Sequence, residues 1–238
     1  SLRPGGGADV VFSRVRFVGP RHRCEDKRSW YERGIADHKT GTPLWLALMF
    51  CNFFFTTSNL MARRDKFLEL GGFGPFRYFH DLDYMLKAIF AGQRVHFVER
   101  TLCEYRVHTG NTIDEDMEML LFEEAWIIAK FLPAGFGRID GPSRLAVAQR
   151  ICDKGLGGRV MHILRAAEAG SFDDEPIRAR LQRDFRERGD DLMQQERDGD
   201  DERFRPLAES VPARAGAIQL TQRHHLLLVG DGHAGRRG

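Results

Sequence analysis

Near Thr112 the chain changes texture, and that change limits what it can fold into. Before it, short β-branched and aromatic runs are broken by glycine-marked turns. After it, apolar residues recur at helical spacing as far as about residue 197. The first pattern predicts an α/β part and the second a helical tail. The boundaries read as 1–112 for the α/β part, 113–205 for the tail, and 206–238 for a linker leading into the first strand of a further domain. A chain of 238 residues can bury one sizeable core, or one domain with an appendage.

Within the α/β part, residues 8–18 alternate as a half-buried strand does. Residues 19–42 are polar and carry Gly19, Pro20, Gly34 and Gly41, which predicts a loop. A short helix is expected over 43–50 and a strand over 53–62. A second short helix, 64–70, ends at Gly71-Gly72. Leu82, Met85, Leu86, Ile89 and Phe90 fall at i, i+3, i+4, i+7 and i+8, predicting an amphipathic helix over 81–91 that Gly92 stops. Two strands follow, at 94–98 and 102–107. Tail helices are expected at 112–131, 141–168 and 174–197, the first packing through Met117, Leu120, Leu121, Glu124 and Ile128.

The totals exclude several classes. A net charge of +2 gives no bulk attraction for nucleic acid. Four cysteines stand far apart without a C-x-x-C pair, which argues against a zinc knuckle and for a reducing compartment. The longest apolar run, residues 43–55, falls short of the roughly 20 residues a spanning helix needs. It reads as a buried helix entering a strand, with an in-plane membrane contact as the lesser alternative. Residue 1 is not Met, and LLLVGDGHAG (226–235) reads as an opening strand with Gly230, Gly232 and Gly235 in G-x-G-x-x-G spacing. A piece of a longer protein is therefore expected.

The chemistry concentrates in FRYFHDLDY, residues 76–84. Residues two apart on a helix point to nearly opposite sides, so Asp81 and Asp83 cannot grip one ion together. Asp83 can pair with Lys87 at i+4. Asp81 sits in the first turn, at the positive end of the helix dipole. There it serves either as a helix cap or as a general base, and helix geometry leaves both open.

The run SNLMARRDKFLELGGF, then RYFHDLDYMLKA, then YRVHTGNT, resembles the second half of a family 2 glycosyltransferase domain of the GT-A fold. The resemblance covers roughly residues 8–113. It implies a partial GT-A (nucleotide-diphospho-sugar transferase) fold followed by a mainly helical C-terminal region. It implies that Asp81 is the catalytic base, deprotonating an acceptor hydroxyl that attacks a nucleotide-sugar with inversion. His80, where glutamate is commoner, would shape the substrate loop, and His108 would approach the metal or the donor diphosphate. Arg106 would neutralise phosphate. Ser58 and Asn59 would face the acceptor cleft, Gly71 and Gly72 would let backbone approach substrate, and Asp83 would join the substrate-binding set.

Family members hold Mg²⁺ or Mn²⁺ on a D-x-D after a βαβ unit, and nothing before residue 80 reads that way. The chain is therefore expected to hold the acceptor side without the main donor site. The implied partners are a nucleotide-sugar donor and a glycan or lipid-linked acceptor, with no nucleic acid. The implied setting is envelope or exported polysaccharide synthesis in a bacterium, in the cytoplasm at the inner membrane face, with a peripheral membrane contact. Two rivals stand beside it. One is a non-catalytic glycan- or partner-binding relic of the domain. The other is a metal phosphohydrolase around His80-Asp81, which would need further His and Asp ligands on neighbouring helices, whereas His22 and His38 fall in the stretch read as a loop.

Overall fold

The computed structural model describes residues 7–108, 110–111, 115–168, 172 and 174–197. The expected linker and terminal strand of 206–238 lie outside the described residues. The first part is α/β, built on a small mixed sheet in the order β2-β1-β3. Strand β1 (Val10–Val18) runs parallel to β3 (Val95–Arg106) and antiparallel to the short β2 (Leu60–Ala62). Val10, Phe12, Val15 and Phe17 of β1 are buried, and Phe12 stacks on Phe97 of β3 at 4.9 Å.

Residues 94–98 and 102–107, read as two strands, form the single strand β3. Its register against β1 shifts between Ser13 and Arg14, and again between Arg14 and Val15. These irregularities are bulge-like, with more residues on β3 than on β1. The buried Tyr31 hydroxyl accepts the Val15 N–H beside them, at 2.8 Å.

The stretch 19–42, read as a loop, is instead mostly helix α1 (Arg21–Lys39). Its buried residues are only Cys24, Tyr31, Gly34 and Ile35. That is too sparse to register as an amphipathic stripe, although Arg, Glu and Lys are good helix formers. Gly34 permits a close approach: a Cβ there would meet Cys51 Sγ at 2.6 Å. Helix α2 (Leu44–Phe50) follows and is buried from Trp45 to Phe50.

The 53–62 region also departs from expectation. Phe53 and Phe54 are both fully buried, so the side chains do not alternate, and Phe55 takes a left-handed φ of 74°. A 3₁₀ turn at Thr57–Asn59, capped by the Thr56 hydroxyl, leads into β2. Helix α3 (Arg64–Glu69) and helix α4 (His80–Phe90) match the reading closely.

The helical region comprises α5 (Met117–Phe136), α6 (Gly141–Asp153), α7 (Gly157–Glu168) and α8 (Glu175–Arg197). Asp116 caps α5 and Asp140 caps α6, each accepting a backbone N–H three residues on. The single helix expected over 141–168 is two, broken where Gly155 takes a φ of 67°. The expected packing face of α5 is largely displaced. Met117 is exposed, while Phe122, Trp126, Ile128 and Phe131 are buried.

This region joins the α/β core directly. Phe131 stacks on Phe90 of α4 at 5.5 Å, and Gly135 lies under the Trp45 ring of α2. Among the described residues no helix is long and apolar enough to cross a membrane.

A Cβ at Gly135 would lie 2.5 Å from two carbons of the Trp45 ring, which is itself enclosed. Gly135→Ala is therefore expected to lose about 2 kcal/mol in urea denaturation, overpacking outweighing the helix-propensity gain. Gly141→Ala, with open space around its Cβ, is expected to cost nothing. Equal effects at the two sites would refute this packing account.

Candidate functional site

A cleft of about 640 Å³ opens where α1, the end of α2, the turn before β2, the N-terminus of α4, β3 and α5 converge. Asp81 lies on its wall in the first turn of α4 and is almost wholly enclosed, at 6% exposure. Its Oδ1 accepts the Leu82 N–H at 2.7 Å. Burial raises its pKa above 3.8, while a charge on His80 and hydrogen bonds from Leu82 and the Asn52 side chain pull the other way. A carboxylate raised in this way holds a captured proton more tightly than an exposed one would.

Asn52, on the turn after α2, lines the same cleft. The aromatic residues Trp30, Phe55 and Tyr105 come from α1, the strained turn and β3 respectively. Phe55 meets Trp30 edge-on at 6.2 Å and Tyr105 at 4.7 Å. The left-handed backbone at Phe55 is an outlier for a bulky residue, and such strain collects at sites whose surroundings dictate it.

Two buried charges of α5 hold α4 in place. The Glu123 carboxylate, 2% exposed, accepts the N–H groups of Arg77 and Tyr78 at 2.7 Å and of Phe79 at 3.1 Å. These are the donors that precede the first turn of α4 and have no partner inside a helix. Lys130, seven residues on, reaches Asp83 at 2.9 Å, and Lys87 reaches the same carboxylate at 2.6 Å. Helix α8 adds Arg178, which donates to the Pro75 carbonyl at 2.7 Å.

The sequence candidates separate accordingly. Asp81 and His80 line the cleft. Asp83 does not; it is fully enclosed in the ion triad, so its place is structural and the expected Lys87 pairing is present. Asn59 extends the sheet ladder, accepting the Ser13 N–H at 3.0 Å and donating back to the Ser13 carbonyl. Ser58 is exposed on the 3₁₀ turn, outside the cleft lining.

Gly71 and Gly72 take φ of 75° and 69° as a helix stop and are also absent from the lining. Arg106 is exposed at the end of β3. His108 is exposed, and its Nδ1 faces the Gly110 N–H at 3.1 Å. Trp30, Asn52, Phe55 and Tyr105 were not singled out beforehand, and Trp30 lay in the stretch read as a loop.

Among the described residues no three of His, Cys, Asp and Glu gather where they could share a cation. The residues brought together here do not fit Mg²⁺ or Mn²⁺. No protein-family model, curated protein or solved structure shows a significant match to the chain.

Two measurements test the site. Glu123→Ala leaves three backbone donors without their acceptor and is expected to lower stability by about 2–3 kcal/mol in urea. It should also speed hydrogen exchange at residues 77–79; a change confined elsewhere would contradict the assignment. Asp81 binds its proton more tightly in the folded state, so stability falls as pH rises from 3.8 through the raised value. Asp81→Asn is expected to melt higher than wild type at neutral pH and level with it below about pH 4. A neutral-pH melting temperature no higher than wild type would remove the burial penalty from the account.

Proposed function

We propose that this chain carries the acceptor side of a glycosyltransferase, with Asp81 as general base. The observation that carries the proposal is the enclosed Asp81 carboxylate, held by Asn52 and Leu82 on the wall of an aromatic-lined cleft. The partial GT-A reading draws support from the mixed sheet and from the order of β2, α3, α4 and β3.

In the proposed reaction an acceptor hydroxyl lies against Asp81. Its oxygen forms a bond to the anomeric carbon of a nucleotide-sugar while the bond to the nucleotide diphosphate breaks. The hydroxyl proton passes to the Asp81 carboxylate. Attack from the face opposite the leaving group inverts the anomeric centre. A sugar hydroxyl is a poor nucleophile, and a fixed carboxylate of raised pKa takes its proton as the new bond forms. His80 borders this carboxylate and biases its charge.

A divalent cation on the donor diphosphate would stabilise the leaving group, but ligands for it are not among the residues gathered here, and no step is assigned to it. The proposed donor is a nucleotide-sugar and the proposed acceptor a glycan or lipid-linked glycan.

The test is sugar transfer from a panel of nucleotide-sugars with Mn²⁺ present. Asp81→Asn is expected to lower turnover by roughly 10²–10⁴-fold. The acid limb of the pH–rate profile should lie above 3.8, reporting the raised Asp81 value. Equal turnover in wild type and Asp81→Asn would remove Asp81 from the chemistry. Absence of transfer from every donor would overturn the enzyme reading.

A further inference from the structure

We infer that the cleft binds an uncharged glycan through a stacking platform on Trp30, and does not recognise a phosphorylated or acidic sugar. The inference rests on the transferase reading only for the ligand's role as acceptor, and its binding can be tested without any transfer.

The first ground is the aromatic wall. Trp30 is 36% exposed, whereas the other two tryptophans, Trp45 and Trp126, are buried. Phe55 meets the Trp30 ring at an interplanar angle of 67° and the Tyr105 ring at 81°. At 67° Phe55 does not lie flat on the face of the Trp30 indole. Sugar rings present flat patches of C–H groups, which such a face accepts, and the polar atoms around the rim bond the hydroxyls. Phe55 takes a left-handed φ and touches both of the other rings. A bulky residue holds that conformation only where its surroundings impose it.

The second ground is charge. Three cationic side chains line the cleft, Lys27, Arg77 and Lys154, and so do three anionic ones, Asp26, Asp81 and Glu124. Arg77 is already engaged by Glu115 at 2.8 Å, and Lys154 by Glu124. Phosphate recognition favours an arginine fork open to the ligand; Arg77 shares its guanidinium with Glu115, and Lys27 is outnumbered by Asp26 and Asp81 in the same lining. The buried Asp81 beside the wall would repel an anion further.

The third ground is the polar pair behind the wall. The Asn52 side chain bonds Asp81, and the carboxylate and amide of this pair suit hydroxyl groups, which both donate and accept.

The test uses the tryptophan itself. The full chain is titrated with neutral tetrasaccharides (maltotetraose, cellotetraose, laminaritetraose, chitotetraose) and with trigalacturonate and glucose 6-phosphate, following intrinsic fluorescence and, in parallel, calorimetry. At least one neutral probe is expected to change the emission saturably and to bind at least about tenfold tighter than either charged probe. Trp30→Ala is expected to weaken calorimetric binding by about tenfold or more, and Trp30→Phe, which keeps a ring, by much less.

The inference is overturned if no neutral probe binds, if a charged probe binds tighter than every neutral one, or if Trp30→Ala binds as wild type does. Trp30→Phe keeps the test valid should Trp30→Ala fail to fold. Asp81→Asn separates the two proposals. Glycan binding without transfer by any form leaves this inference standing and removes the base. Transfer to an acceptor that is not a glycan, without glycan binding, does the reverse.

Discussion

Two charges on one face of α5 decide how the candidate site is set. Glu123 and Lys130 are seven residues apart, two helical turns, and therefore point the same way. Both are buried, and a buried charge is costly unless it is paired. Glu123 finds three backbone donors in front of α4, and Lys130 finds Asp83 within it. Together they fix both the start of α4 and its rotation about its own axis. With Asp83 turned inward, Asp81 must face the other way, toward Asn52 and the cleft. The two aspartates of one short motif thus divide: one anchors the helix and the other lines the cleft.

It follows that the helical region is part of the site. Its first helix supplies the acceptor for the loop before α4 and the counter-charge for Asp83. Its last helix supplies Arg178 to the Pro75 carbonyl and places that guanidinium over the Phe76 ring at 5.6 Å. The change of texture near residue 112 marks a change of secondary structure, and the buried side chains on either side of it form one continuous hydrophobic cluster.

Much of the α/β part was legible because its signals are local. The spacing of Leu82, Met85, Leu86 and Ile89 located α4 to within a residue, and the Gly71-Gly72 stop located the end of α3. Helix α1 was obscured because it is anchored by a few apolar side chains and one glycine contact, leaving no stripe to read. Phe53 to Phe55 have the composition of a strand, but here a turn buries two successive phenylalanines. The motif points to Asp81 and His80, and both line the cleft. Asn59 has the chemistry of a substrate ligand and instead completes a ladder with Ser13, a bond across 46 residues. Trp30, Asn52 and Tyr105 meet only after folding, so no local pattern announces their cleft.

The parallel pairing of β1 with β3 has a kinetic side. Val10 aligns with Val95, and the Asp9 carboxylate holds the Arg94 N–H across 85 residues of chain. That long loop must close before the sheet exists, and closure entropy is spent before any ladder bond returns it. Helix α5 meets α7 across a shorter separation, as from Glu118 to Arg159 over 41 residues. The half of the molecule that carries Glu123 and Lys130 can therefore assemble without waiting for the sheet, and it offers a surface on which the slower half can settle.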